Sequence, residues 1–499
     1  MFSAKKTPFL LIGAAFFFSS KPFSAPVSSE LKVLLNSFST TDKYDPAHAY
    51  FPKDFFFLEN TFSPLLEYSA TGELTSGLAE TYRWHGGEAQ FGMREGVTTA
   101  DGQVIDAYDA ELSLKRLFII GGRDYSLLSG LLCGPTPLKK LSDACPGLRI
   151  RDSGRTLAME FKEKKPFLFH LLTNITYAVI PRNSIDPATL KIRDLRNTSG
   201  PYFVSSDSGG GAWELLANQS HYRYSKLMPQ LVKSVPLLTQ ISNEQALAKL
   251  SEGEIDYMIA SLARNPGDKI RFVSNLQGYN LNITQPVRLV YVVFTDKGIR
   301  TLTKKERFFI ARKMRGLYKA GRELCENPHQ IFKMEGSLSR NQLSEIHGLL
   351  NKGSDIIINR EISALWLKKY LSRKEDSLLP WLPGLSEVDI KNKSAKPDFL
   401  LNSGDISFQD DIGLVSNYIG LEFFDMNTAA KEKWFAKYAS CPDKKTRSLM
   451  LQDLHYRTLK EARVLPIALM PYASVARKPW KFNYPAMFGG DNLWRLRRE

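Results

Sequence analysis

The chain has 499 residues, which is too long for one ordinary hydrophobic core, so we expect two or three domains. Hydrophobic residues make up 43% of the sequence and aromatic residues 11%, a composition that excludes wholesale disorder. The formal net charge is +15. Because the basic residues are scattered and form no single tract, the charge indicates solubility and weak attraction to anionic surfaces, and no nucleic-acid partner is expected.

The first 25 residues have the pattern of a secretory signal peptide. Lys5 and Lys6 precede an apolar run over 8–18 that is too short to span a bilayer, and small residues follow it. Ala25 suits a cleavage site, whereas Pro26 directly after it does not. No cysteine lies near this junction to carry a lipid anchor. Removing these residues, with three lysines and no acids, gives 15 − 3 = +12. We therefore expect an exported, periplasmic protein.

In chain order, the first predicted elements are short. We predict a buried strand over 31–38, a strand–turn–strand unit that ends at Trp84, a strand over 91–97 and a turn at 101–102. A helix over 107–117 follows, and Asp106 or Asp109 is placed to cap its free amides. Residues 154–182 are predicted as strand, helix and strand. All these elements precede residue 200 and mix the two types.

The second part of the chain continues the mixture. We predict a turn and strand over 197–204, a hairpin turn at 209–211, a helix over 243–250 with a strand after it, and a buried strand over 287–294. A long amphipathic helix begins near Lys304, and helices alternate with short strands up to about 460. Since strands and helices intermix throughout, the predicted fold class is α/β or mixed α+β.

The four cysteines suggest disulfides, because an even number in an exported protein is typical of paired thiols. Cys133 and Cys145 flank a loop that contains glycine and proline, where a local crosslink fits. That pairing leaves Cys325 with Cys441. No CxxC or histidine-rich spacing indicates a zinc site.

The sequence has no local pattern of an enzyme. The seven histidines are scattered, with no HExxH and no other pair at i, i+4, so we expect no metal site. There is no GxSxG elbow and no GxxxxGKS loop. A catalytic triad is spatial and needs no local motif, but the expectation is that the protein is not an enzyme and uses no cofactor.

Several segments, in order, resemble the periplasmic solute-binding proteins of the oligopeptide and dipeptide ABC importers (solute-binding protein family 5). They are GLAETYRW at 77–84, FGMREGV at 91–97, the Asp101-Gly102 turn and DAYDAELSLKRL at 106–117. TSGPYFV at 198–204, ALAKLSEGEIDYM at 246–258, the strand and helix from 290, and ARVLPIALMPYASV at 462–475 continue the likeness. In this comparison Arg94, Gly96, Asp101 and Gly102 correspond to structural positions.

The resemblance implies a two-lobe periplasmic binding protein fold of type II with two hinge strands. Lobe one would comprise 26–288 and a C-terminal return over 475–499, and would include a small subdomain at about 66–196. Lobe two would comprise 289–474, which puts both Cys325 and Cys441 in one lobe. Ligand would be held between the lobes, where closure removes water and strengthens a few hydrogen bonds.

The resemblance also indicates where ligand-binding residues lie. Peptide binders of the family carry Trp-x-x-Asp-Tyr-x-Asp-Pro in lobe two, and the first Asp pairs with the peptide amine. The matching segment here is NSGDISFQDDIG at 402–413. If Asp410 takes the place of the second Asp, the amine-binding position falls on Ser407, and if Asp411 does, it falls on Phe408. Neither side chain forms a salt bridge, and the Trp and Pro are missing.

Two readings of this segment stay open. Asp405 or Asp410 substitutes for the amine-binding Asp after a loop shift, or the ligand is a modified peptide, a sugar-like compound or a metal chelate. In lobe one, Ser37 and Phe38 at the end of the first strand, and Tyr177 near a strand end, are further candidates for ligand contact.

The predicted function is the substrate-binding component of an ABC importer, which captures a peptide-like solute and delivers it to a permease in the inner membrane. The expected state is a monomer. A non-transport sensor or scaffold of the same fold, and a receptor for a non-peptide solute, are the alternatives.

Overall fold

The structure is a computed structural model, and it describes residues 30–35, 44–49, 52–69, 71–121, 126–209, 212–227, 229–234, 243–260, 278–284, 286, 288–320, 326–332, 335–365, 381–387, 396–405, 428–482 and 492–498. The predicted signal peptide lies outside these residues.

The described strands are numbered in chain order. In the first half they are β1 Glu30–Leu34, β2 Leu66–Tyr68, β3 Leu74–Ser76, β4 Ala79–His85, β5 Glu88–Met93, β6 Leu148–Arg151, β7 Thr156–Glu160, β8 Tyr202–Gly209, β9 Ala212–Ala217 and β10 Leu231–Ser234. In the second half they are β11 Tyr257–Ala260, β12 Tyr279–Ile283, β13 Arg288–Phe294, β14 Ile362–Leu365, β15 Leu385–Glu387, β16 Phe399–Asp405, β17 Val464–Met470, β18 Ala473–Arg477, β19 Trp480–Phe482 and β20 Leu496–Arg498.

The described helices alternate with these strands. They are α1 Pro52–Thr61, α2 Ala107–Ile120, α3 Ser126–Cys133, α4 Leu168–Leu171, α5 Asn243–Ser251, α6 Asp296–Thr301, α7 Lys304–Ala320, α8 Arg340–Asn351, α9 Thr428–Ser440 and α10 Lys444–Lys460. The mixed α/β class predicted from the sequence is confirmed.

The largest sheet has seven strands in the order β12-β18-β11-β1-β10-β9-β8. Side chains of β1 alternate between its two faces, as the period of a strand requires. Leu31 and Val33 pack into one apolar cluster with α1 residues such as Phe56, whereas Leu34 packs into another with Leu250 of α5. The sheet is therefore covered by a helix on each face.

A second sheet has five strands in the order β15-β14-β16-β13-β17. Every residue of β13 after Arg288 is buried, and so is every residue of β17, because helices cover this sheet. Phe309 and Met314 of α7 belong to the same apolar cluster. The predicted strand over 287–294 and the helix from Lys304 are confirmed as β13 and α7.

A four-stranded antiparallel sheet, in the order β4-β5-β7-β6, forms the small subdomain with α2 and α3. Asp106 caps α2: its Oδ1 accepts from Tyr108 N at 2.9 Å, and Asp109 Oδ2 accepts from Asp106 N at 2.9 Å. This reciprocal capping uses both carboxylates that the sequence offered for the role. The Cys133–Cys145 disulfide, also predicted, crosslinks the end of α3 to the loop before β6.

The residues expected to be structural behave so. Arg94 donates to Gly77 O at 3.1 Å and to Ser76 Oγ at 3.1 Å. Gly96 and Gly102 have φ angles of +73° and +86°, a left-handed conformation that favours glycine. Asp101 accepts from the hydroxyl of Thr99 within the turn.

One sequence prediction is wrong. The second strand predicted within 154–182 does not form: Asn174 caps a 3-10 turn over Ile175–Tyr177, and only Val179 makes an isolated bridge to Ser63. Cys441 has no disulfide partner among the described residues. Cys325 lies outside the described residues, so its pairing with Cys441 stays a prediction.

Candidate ligand-binding site

The chain crosses twice between the seven-stranded and the five-stranded sheet. The first crossing joins β12 to β13, and the second joins β17 to β18. Thr284 in the first crossing donates its backbone N–H to Tyr472 O in the second at 2.9 Å. Tyr472 donates its own N–H to Thr284 Oγ1 at 2.8 Å. The two crossings therefore lie side by side and are bonded to each other.

Arg288 extends this contact at the start of β13. Its guanidinium donates to the Tyr472 hydroxyl and lies 4.4 Å from the centroid of the Tyr472 ring. A cation over an aromatic face is attracted by the ring quadrupole. Arg288 is opposite Asp405 of β16 on one side and Met470 of β17 on the other. The arginine thus links the five-stranded sheet to the second crossing.

The strand register shows where the candidate ligand segments leave the sheets. Leu34, the last residue of β1, is opposite Met258 of β11, which is opposite Val475 near the start of β18. Asp405, the last residue of β16, is opposite Arg288 at the start of β13. Both segments therefore continue from the edges at which the chain crosses between the sheets. In open α/β sheets ligands bind outside the carboxyl ends of such strands.

Most of the predicted ligand-binding residues lie outside the described residues. They are Ser37, Phe38, Ser407, Phe408, Asp410 and Asp411. The backbone of Asp405 is described as the end of β16, next to the first crossing. These assignments stay predictions, and the topology brings the starts of both segments to the same region.

Tyr177 has a different environment from the one predicted. It ends a 3-10 turn and is buried in the apolar cluster of the small subdomain with Leu172 and Val179. Only 8% of the residue is exposed. Its position is in a core and not at the end of a strand, and a role in ligand contact stays a prediction.

A second contact region joins the N-terminal part of the chain to the cluster around the five-stranded sheet. Tyr68 and Phe167 are buried in the same apolar cluster as β13 and α7. The hydroxyl of Tyr68 is 2.9 Å from Nδ1 of His170, and the Tyr68 carbonyl accepts from Arg495 Nη2 at 2.8 Å. The side of the small subdomain that carries α4 is therefore packed against the second sheet's core.

Charged groups surround this contact. Burial lowers the pKa of His170, while Glu335 favours its protonated form and Arg447 opposes it. Glu335 accepts from the Arg447 guanidinium and, at 3.3 Å, from the Tyr438 hydroxyl. Arg447 is 5.6 Å from the Tyr438 ring centroid. A paired carboxylate and guanidinium therefore act in opposite directions on the pKa of His170.

No pattern in the sequence indicated these contacts. Thr284 and Tyr472 are 188 positions apart, and Tyr438 and Glu335 are 103 apart. A polar pair at such a separation has no local spacing that marks it. Only the strong apolar character of the strands on either side of the crossings was visible.

In the part of the chain that the structure describes, no group of three or more His, Cys, Asp or Glu side chains is placed to hold a metal ion. None of the helices described above has the length and apolar character needed to cross a membrane.

Solved structures show the same fold. The Escherichia coli murein tripeptide binding protein MppA aligns with 94% of this chain and 98% of its own, at 15% identity and a TM-score of 0.69. Helicobacter pylori DppA, a periplasmic binding protein in complex with the peptide STSA, aligns with 94% of this chain and 98% of its own, at 13% identity and a TM-score of 0.72.

Staphylococcus aureus NikA in complex with Ni(L-His)2 aligns with 94% of this chain and 100% of its own, at 13% identity and a TM-score of 0.70. No protein-family model and no curated protein sequence matches the chain. At these identities the likeness shows the fold: the chain has two lobes joined by two crossings, with a small additional subdomain.

Proposed function

We propose that the protein is the extracytoplasmic substrate-binding component of an ABC importer. It captures a peptide or peptide-like solute between its lobes and delivers it to a permease in the inner membrane. The observation that carries the proposal is the pair of bonded crossings, at Thr284 and Tyr472, in a chain that shares its fold with peptide-binding proteins over 94% of its length. The protein is exported, monomeric and acts by binding, without catalysis.

The proposed division of the chain follows the crossings. Lobe one comprises 26–288 and 475–499 and lobe two comprises 289–474. The first boundary falls at the start of β13 and the second just inside β18. Each lobe then has its own large sheet, and the apolar cluster around the five-stranded sheet also includes Tyr68 and Phe167 of lobe one. Two adjacent connections permit rotation of one lobe on the other, the hinge arrangement of domain closure.

The ligand class rests on the segment after β16. A peptide amine is recognised by a carboxylate in the relatives that the sequence resembles, and the corresponding position here is Ser407 or Phe408. Neither side chain carries a charge. We therefore propose that the main chain of the ligand supplies most of the recognition, with Asp405 or Asp410 as the candidate acid. A solute without a free amine is the second candidate. It is favoured by NikA, a protein with this fold whose solved structure holds Ni(L-His)2.

Native mass spectrometry of the purified protein, followed by denaturation and identification of released compounds, tests the proposal. Mixed short peptides are the expected result. Release of a single non-peptide compound would contradict peptide binding and support the second candidate, a solute without a free amine. Turnover of a released compound on incubation with the protein would contradict a binding function.

A calorimetric titration then compares a short peptide with its N-acetylated form. If Ser407 or Phe408 occupies the amine position, acetylation changes the affinity less than about threefold. If an acid has taken over, acetylation weakens binding by at least tenfold, and Asp405→Asn or Asp410→Asn has the same effect on the free peptide. Asp443→Asn, on an exposed helix cap remote in sequence from this segment, is the matched control.

The non-transport alternative needs a different measurement. An importer component stimulates ATP hydrolysis by its permease complex when ligand is bound, whereas a sensor of the same fold binds ligand and leaves that activity unchanged. Reconstitution with the permease encoded nearest its gene distinguishes the two.

A further inference from the structure

A buried arginine lies on the core-facing side of helix α7. Arg315 is 5% exposed, and Ala311 and Tyr318, one turn away on either side, are completely buried. The helical period therefore places a guanidinium at a position where an apolar side chain is expected. Removing a charge from water is costly unless the charge is paired and hydrogen-bonded.

The other buried arginine of α7 shows how this cost is normally met. Arg307 donates to the carbonyls of Ala462 at 3.2 Å and Glu461 at 2.9 Å, in addition to that of Leu302. Arg315 has no such set. Its Nη1 is buried without a hydrogen-bond partner, and burial is the only influence on its pKa, with no contribution from a described carboxylate. Burial without a counter-charge lowers its pKa to about 10, so it stays protonated at neutral pH.

Two histidines lie beside this guanidinium. Nη2 of Arg315 is 3.3 Å from Nδ1 of His329. The ring of His329 meets that of His347 edge to face, with 4.3 Å between the centroids. His329 is half-buried and His347, on α8, is exposed. Arg315, His329 and His347 therefore extend from the apolar core beside the five-stranded sheet to the surface.

The hydrogen bond fixes what His329 offers. Since a guanidinium is a donor only, Nδ1 of His329 is the acceptor and the ring proton is on Nε2. His329 thus presents an N–H donor, next to the unused N–H groups of Arg315. The segment that carries it is held in place, because Ile331 N donates to His455 Nε2 at 2.9 Å and Leu338 N donates to Gln330 Oε1 at 3.0 Å.

We infer that Arg315, His329 and His347 form a binding site for a small oxyanion, a phosphate or a carboxylate, in lobe two. The guanidinium supplies the charge and a planar pair of donors, and the imidazoles supply further donors on the open side. A metal cation does not suit the cluster, because Arg315 repels it and occupies the lone pair of Nδ1. The inference does not depend on the proposed transport function.

Thermal unfolding and calorimetric titration of the full protein with inorganic phosphate and with succinate test the inference, against sodium chloride of equal ionic strength. In the natural protein we expect one or both oxyanions to raise Tm by about 2 °C or more. Arg315→Met should abolish that rise. Its own Tm in chloride should be unchanged or higher, because a buried unpaired charge has been replaced by an apolar side chain of similar length.

Arg312→Met is the matched control on the same helix. Arg312 pairs with exposed Asp355, at 3.0 Å, and is not part of the cluster, so the response to the oxyanion should be retained. His347→Ala changes an exposed residue and should weaken the oxyanion at least threefold while the protein stays folded.

A response to phosphate alone would identify a tetrahedral anion, and a response to both would identify a general oxyanion site. Failure of both anions to raise Tm above the chloride value, or an equal rise in Arg315→Met, would overturn the inference. Binding of solute in the cleft is measured separately and is unaffected by either result.

Discussion

Thr284 and Tyr472 exchange hydrogen bonds across the two crossings although 188 positions separate them in the chain. Thr284 uses both its backbone N–H and its hydroxyl oxygen, so the side chain fixes the register of one crossing on the other. These hydrogen bonds oppose sliding of one crossing along the other. The side chain is therefore a specific target for changing the hinge without changing either core.

Thr284→Val removes the acceptor of the Tyr472 N–H and retains the shape of the side chain. We expect the Tyr472 amide to exchange with deuterium about five- to tenfold faster, since a neutral hydrogen bond contributes about 1 kcal/mol. Hydrogen exchange of the peptide around Tyr472, read by mass spectrometry, measures this. Thr75→Val, on strand β3 of the small subdomain, is the control and should leave that peptide unchanged. Unaltered protection in Thr284→Val would show that the backbone pair alone holds the crossings.

Glu67 forms a largely buried ion pair with Arg223. Arg223 Nη1 is 2.8 Å from Glu67 Oε1, the hydroxyl of Tyr222 donates to the same oxygen at 3.0 Å, and the guanidinium lies 4.1 Å from the Trp494 ring centroid. Glu67→Gln leaves the guanidinium buried without its counter-charge, so we expect unfolding free energy to fall by about 3 kcal/mol. Urea denaturation gives the value.

Glu80→Gln is the control for this pair. Glu80 also binds an arginine, Arg94, but its side chain is 58% exposed. The expected loss is below about 1 kcal/mol, because water and salt screen an exposed ion pair. If the two variants lose equal amounts of unfolding free energy, burial of the Glu67–Arg223 pair does not increase its contribution to stability.

His455 is completely buried and neutral. Its Nδ1 is 2.7 Å from Gly336 O, so that nitrogen carries the proton, and Nε2 accepts from Ile331 N. Burial lowers the pKa of His455 to about 4, against 6.5 in the unfolded chain. Between these values the unfolded state binds more protons, so this residue's contribution to stability is present above about pH 6.5 and is lost as the pH falls toward 4.

The corresponding test is urea denaturation between pH 4.5 and 6.5. His455 contributes a fall of up to about 1.4 kcal/mol for each pH unit in this range. His455→Gln should be less stable at pH 7 and should have a shallower dependence on pH. His85→Gln, at an exposed position, should keep the slope of the natural protein. A variant at 455 with an unchanged slope would show that other groups carry the acid sensitivity.

Gly200 lies against the end of α1. Its N–H donates to Thr61 O at 2.9 Å, and a Cβ at this position would lie 2.3 Å from Thr61 C. Gly200→Ala should therefore lower the unfolding free energy by about 1–3 kcal/mol, as overpacking does. Gly130→Ala makes the same change within α3, where a Cβ meets nothing within 4 Å, and should stabilise the protein by about 0.5–1 kcal/mol. Thermal unfolding of the two variants should shift in opposite directions.

The sequence by itself determined the local elements. Apolar runs with flanking turns identified β13 and α7, the acids at 106 and 109 identified the start of α2, and the short cysteine spacing identified the Cys133–Cys145 disulfide. These features depend on neighbours within about one turn or one loop, so the local sequence is enough to predict them. The two-lobe fold that the solved structures share was predicted from the resemblance of several segments to a known family.

Only the tertiary structure decided which distant groups meet. The pairing of Thr284 with Tyr472, the contact of Tyr68 with the second lobe's core, and the isolation of Arg315 follow from how whole sheets and helices are packed. The strand predicted before Pro181 failed for the same reason, because a partner strand is decided by packing and not by the β-propensity of the segment. A hydrogen bond acts over about 3 Å, whereas the sequence separations here exceed 100 residues, so no local pattern encodes these contacts.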